Sequence, residues 1–203
     1  MKVVKFINQN IPLWSMLAGD HALSKLVHKI NPTLIQSPNF HNSLDNQLRL
    51  DVFKSERQWI LNIIGSNPSF SIVRFSHAEL MLFDTCFKDV SYKEFLRTHV
   101  KCMYYEKNSS MLGKPPEYLD KMKRMKISML RASKLSNVTH NDVDNYAITN
   151  NNIWLAANRS ILVKRKNGKI MILDGTHRLV CYGLLVDDGA NIPKHLCGFY
   201  CEE

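Results

Sequence analysis

The amino-acid sequence predicts an α+β fold with a helical N-terminal lobe, and three observations carry that expectation. The first is helical periodicity over much of residues 1–66. The second is an Asn167-Gly168 pair set between two short apolar ribbons, the local chemistry of a hairpin. The third is a strand that runs straight into Asp174-Gly175-Thr176-His177-Arg178 and on into an apolar helical segment.

In the first 66 residues, Pro12-Leu13-Trp14 opens one segment. Asp20 or Ser24 is placed to cap a helix running to Ile30, and Asn31-Pro32 reads as its stop. Ser43 is the N-cap candidate of a second helix, with apolar positions at Leu44, Leu48, Val52, Ile60 and Ile64, and Gly65 with Pro68 ends it. Phe70 to Phe75 then reads as a strand, and Ser76 heads a helical turn that contains Glu79. An acid at a helix start is either a capping partner that favours the dipole or, functionally, a general base or metal-binding carboxylate.

Between Glu117 and Lys134, apolar Tyr118, Met122, Met125 and Met129 mark the buried face of a helix. Seven Lys and Arg from Lys114 to Lys134, Lys121, Arg124 and Arg131 among them, face two acids in that stretch. That side is either a solvated surface or a surface for the phosphates of DNA or RNA. The Asn-rich stretch 136–152 leads into Ile153-Trp154-Leu155 and marks an insertion. The expected organisation is a helical lobe over 1–66 and a second domain over 67–203, with a helical insertion around 91–152.

Composition narrows the class. With 203 residues, 45% of them hydrophobic and 22% charged, the chain can bury a core and is not of disordered composition. The formal charge of +9 favours phosphate-bearing partners without naming one. Five scattered cysteines and no long apolar run at the start lead us to expect a reducing, cytoplasmic setting. Cys197 and Cys201 lack a second Cys/His pair at zinc-ligand spacing. No stretch nears the roughly 20 apolar residues that span a bilayer, so no membrane partner is expected.

The richest local signal begins at Ser160. Ile-Leu-Val-Lys-Arg-Lys, Asn167-Gly168 and Lys-Ile-Met-Ile-Leu compose a two-residue type I′ hairpin by turn chemistry, with Ile161 and Val163 facing the same way as Ile170 and Ile172. Residues 174–178 then lie between a strand's end and a helix's start, where unpaired backbone N–H groups and the helix dipole favour an anion such as phosphate. Gly175 permits close backbone approach, Thr176 can cap the helix or donate a hydroxyl, and Arg178 can grip two oxygens. His177 adds a titratable donor. Asp174 could hold a metal ion, accept a proton or orient its neighbours.

On these residues, the stretch from Ile161 to Tyr200 resembles the ParB/sulfiredoxin superfamily, whose members carry an Asp-Gly-X-His-Arg turn matching Asp174 to Arg178. Phe70 to Glu79 resembles the family's first strand and acidic segment, and Met122 to Leu130 the helix before its hairpin. The resemblance implies a small mixed sheet with flanking helices.

Sulfiredoxins carry a cysteine where Thr176 stands, so thiol reduction is not implied. Thr176-His177 replaces the Glu-Arg of the partitioning proteins' Gly-Glu-Arg-Arg turn. The free-serine kinase type phosphotransferases, with Asp-Gly-His-His-Arg, differ only at Thr176. That likeness implies a nucleotide-dependent phosphotransferase or nucleotide hydrolase using ATP or ADP with Mg2+. Asp174, His177 and Glu79 would be catalytic, Gly175, Thr176, His177 and Arg178 would hold the phosphates, and Asp174 would meet the metal. The alternatives are a nucleic-acid-binding ParB-like protein or nuclease using Lys121, Arg124 and Arg131, and a module that senses a nucleotide without turning it over.

Overall fold

Side chains that alternate along the strands between two buried clusters divide the core into two layers, one on each face of a mixed sheet. The computed structural model describes residues 1–22, 29–36, 39–65, 67–87, 90–97, 160–192 and 194–203. In chain order the elements are β1 (Lys2–Ile7), α1 (Asn10–Ala22), α2 (Pro32–Gln36), α3 (Ser43–Ile64), β2 (Phe70–Ser76), α4 (His77–Leu80) and β3 (Asp84–Thr85). They are followed by β4 (Ile161–Lys164), β5 (Ile170–Asp174), α5 (Thr176–Asp187) and β6 (His195–Glu202). Among the described residues the sheet has six strands in the order β1-β2-β6-β4-β5-β3. The β4/β6 and β3/β5 pairs are parallel and the others antiparallel.

Ile161, Val163, Met171, Leu173 and Phe199 share one cluster with Leu13 and Leu17 of α1 and with Phe53, Ile60 and Leu61 of α3. Leu162, Ile172, Val73 and Phe75 point into the other, against Leu179, Val180 and Tyr182 of α5 and against Tyr92 and Leu96 of the helical stretch 92–97. The ribbon expected to bury one face is therefore buried on both, and Ile172 lies opposite the face that holds Ile161 and Val163.

The hairpin also differs from the expected type I′ turn. Gly168 N–H donates to Arg165 O at 2.8 Å, Arg165 N–H donates to Lys169 O at 2.8 Å, and Gly168 has φ 81. This is a three-residue loop whose last residue sits in the left-handed region, which suits glycine. Asn167 stabilises it by accepting from Lys169 N–H at 3.0 Å.

Residues 1–66 are not all helix. Lys2 to Ile7 form an edge strand, with Lys2 opposite Arg74 and Ile7 opposite Phe70, because Val3, Val4 and Ile7 suit a pleated edge and β2 offers backbone partners. Asn31-Pro32 starts a helix instead of stopping one. The Asn31 side chain accepts from Thr33 N–H at 3.0 Å, and Pro32 takes the first helical position, where a missing N–H costs nothing. Asn42, not Ser43, caps α3 by accepting from Leu44 and Asp45 N–H, and Gly65 closes it with φ 81.

Inside α3 the backbone breaks from helical geometry at Arg57, with φ −137 and ψ 27. The buried stripe differs from the one read from sequence in the helix's first half, where Arg49 and Phe53 are buried. Leu44 and Leu48 are exposed, while Phe53, Ile60, Leu61 and Ile64 are buried. The basic segment with Lys121, Arg124 and Arg131, the stretch 136–152, Ser24 and Cys102 lie outside the described residues. No helix among the described residues is long and apolar enough to cross a membrane.

Candidate functional site at the β5–α5 turn

At the end of β5 the chain must reverse to lay α5 across the sheet, and Gly175 makes that turn with φ 89. A methyl group there would lie 2.4 Å from Ser160 Oγ and 2.9 Å from Ser160 Cα. The close approach expected toward a ligand is thus made to the protein's own β4 entry. Gly175 is also the N-cap of α5 and, having no side chain, makes no side-chain cap hydrogen bond to the first turn. Thr176, expected as a possible cap, is instead the first helical residue. It is 3% exposed, and its hydroxyl sits beside the Cys86 thiol with no partner of hydrogen-bond geometry among the described residues.

A cavity of about 320 Å³ opens at this turn. Leu173 to His177 form one wall, Cys86 and Phe87 a second, and Arg57 and Trp59 of α3 a third. Cys86 reaches the site because β3 pairs parallel with β5 and Cys86 N–H donates to Ile172 O at 3.1 Å. Burial first, then the Asp174 carboxylate, push the Cys86 thiol above its usual range, while its own backbone N–H, the nearby Thr176 hydroxyl and Arg57 pull it down less. The thiol therefore stays protonated near neutral pH. Among the described residues Asp174 is the wall's one carboxylate, and it accepts from Arg178 Nη2 at 3.0 Å. Among the described residues, Arg57 brings a guanidinium to the cavity wall and Arg178 places a second against Asp174, a donor set that suits an anion.

The residues named from sequence separate here. Asp174, Gly175, Thr176 and His177 come together on the cavity. The Arg178 side chain is 19% exposed and reaches back from the first turn of α5 to pair with Asp174 at the end of β5. His177 packs near the Phe87 and Phe95 rings, with centroids 5.9 and 6.0 Å away.

Glu79 does not join the site. Its Oε2 accepts from Ser76 N–H at 2.8 Å and from Ser76 Oγ at 3.1 Å, completing a capping box, and its other oxygen pairs with the Met1 amino group. It follows β2, three strands from β5, or about 14 Å at ordinary strand spacing.

Four residues of the cavity were not singled out from sequence: Arg57, Trp59, Cys86 and Phe87. The break at Arg57 has no proline or glycine to announce it, and the others arrive by tertiary contact.

Mg2+ is commonly held by one or two carboxylates together with substrate phosphates. One carboxylate lines this cavity and it is ion-paired, and no group of three His, Cys, Asp or Glu side chains placed to hold a metal occurs among the described residues. Among the described residues, Asp174 is the carboxylate this cavity offers to a divalent cation.

α5 is fixed to the rest of the fold by Tyr92, whose hydroxyl donates to Leu179 O at 2.6 Å. No protein-family model, curated protein or solved structure matches the chain.

Proposed function

We propose that this protein is a nucleotide-dependent phosphotransferase or nucleotide hydrolase of the ParB/sulfiredoxin type, holding the phosphates of ATP or ADP in the cavity at the β5–α5 turn. The observation that carries this reading is the convergence of Arg57, the side-chain-uncapped start of α5 and the buried Thr176 hydroxyl on one cavity. Oriented backbone N–H groups, a helix dipole and a guanidinium are a recurrent set of phosphate ligands.

Arg57 takes the gripping role, and Arg178 acts through Asp174. For group transfer, Asp174 is the carboxylate placed to take the proton of an accepting hydroxyl or water, the pair with Arg178 holding it in one orientation. Calorimetric titration of the full chain with ATP, ADP and inorganic pyrophosphate tests the reading. Arg57→Ala should weaken all three by about tenfold or more, the worth of a charge-assisted hydrogen bond, at unchanged fold. Wild-type protein that is folded and binds none of the three would overturn it.

A further inference from the structure

Two exposed aromatic rings on this cavity are not accounted for by phosphate binding. Trp59 is 41% exposed and Phe87 is 42% exposed. Among the described residues, the one other aromatic ring in the same exposed class is Phe6, on the edge strand β1. An aromatic side chain offers 150–250 Å² of mostly apolar surface, so two left open on the walls of one cavity mark a place for a planar apolar partner.

Both rings are held in place by the fold. Phe87 is stacked on Phe95 with centroids 5.2 Å apart and planes 4° from parallel, and it meets His177 at a tilt. Trp59 owes its position to the break in α3. In an unbroken helix, residues two apart point to opposite sides, so Arg57 and Trp59 could not line one cavity. The non-helical backbone of Arg57 turns the chain so that both do, while Ile60, Leu61 and Ile64 still reach the core. Departures from helical geometry without proline or glycine gather at functional sites, and this one delivers a cation and an aromatic ring to the same wall.

We propose that Trp59 and Phe87 receive the base of a free nucleotide by stacking, with its phosphates toward Arg57 and the start of α5. This rests on the phosphate reading above and deepens it by naming the residues that take the nucleotide's base. A volume of about 320 Å³ lies in the range of small-molecule sites, roughly 300–1,000 Å³.

The test is calorimetric titration of the full chain with four probe classes: the ribonucleosides, their diphosphates, ribose 5-phosphate and pyrophosphate. Wild type should bind at least one diphosphate about tenfold or more tighter than ribose 5-phosphate, since stacking on an aromatic ring is worth about 1–3 kcal/mol per base. Trp59→Ala should erase that margin and leave pyrophosphate affinity unchanged, and Trp59→Phe should keep most of it. Phe87→Leu, which preserves bulk against Phe95, should lose part of it. The nucleosides separate the two readings: nucleoside binding that needs Trp59, without pyrophosphate binding, supports the aromatic site and sinks the phosphate site. Ribose 5-phosphate that binds as tightly as every diphosphate, or diphosphate affinity that is indifferent to Trp59→Ala in a folded variant, overturns the proposal.

Discussion

Replacing Gly175 with alanine isolates the backbone demand of the turn that shapes the cavity. At φ 89 an alanine pays about 1–2 kcal/mol for left-handed geometry alone. Its methyl group would also meet Ser160 Oγ at 2.4 Å and Ser160 Cα at 2.9 Å. The hydroxyl can rotate away, but the Cα belongs to a residue with no exposed surface at the entry to β4, so backbone must shift. Overpacking of this kind costs about 1–3 kcal/mol, for a total of about 2–5 kcal/mol. Gly168→Ala is the internal control, because φ is 81 and nothing lies within 4 Å of the added methyl. It should lose only the conformational part. Urea unfolding of the two variants and wild type, read as midpoint changes at constant slope, measures the difference. If Gly175→Ala loses no more stability than Gly168→Ala, the tight crossing of Ser160 over the turn is not what selects glycine there.

Two further outcomes follow from the same neighbourhood. Tyr92→Phe removes the 2.6 Å bond to Leu179 O inside the core and should cost about 1 kcal/mol, seen as a lower melting temperature without loss of secondary structure. Asp174→Asn should lower nucleotide turnover about a hundredfold while ADP affinity holds or rises, since the cavity loses a negative charge; steady-state rates beside calorimetry check it, and a fully active mutant removes Asp174 from the chemistry.

Local chemistry decided what could be read from sequence. The hairpin near Asn167-Gly168, the strand end at Asp174 and the helix after it were legible because turn residues and apolar runs act within a few positions. Even there the loop length was missed, since Asn-Gly suits both a two-residue loop and the three-residue loop found. Glu79 was legible as a capping partner three residues after Ser76, and its distance from the turn was not, because strand order is set by pairing across the whole chain.

Lys2 to Ile7 is too short and too dependent on β2 to declare itself as a strand. The cavity's second half was illegible for the same reason. Arg57 and Trp59 arrive through an unannounced break in α3, and Cys86 and Phe87 through a two-residue strand. Arg178 was read as a ligand contact because its type suits phosphate, while Asp174 at the end of β5 gave it a partner inside the protein.

A phosphate group received at the start of α5 would perturb the backbone amides there. Backbone amide shifts of the ¹⁵N-labelled chain, followed while ADP is added, test this placement most directly. The largest saturable changes should fall at the N–H groups of Gly175, Thr176 and His177, be accompanied by the Arg57 side chain, and need about tenfold or more ADP in Arg57→Ala. Saturable changes centred elsewhere, with these three amides unmoved, would contradict it.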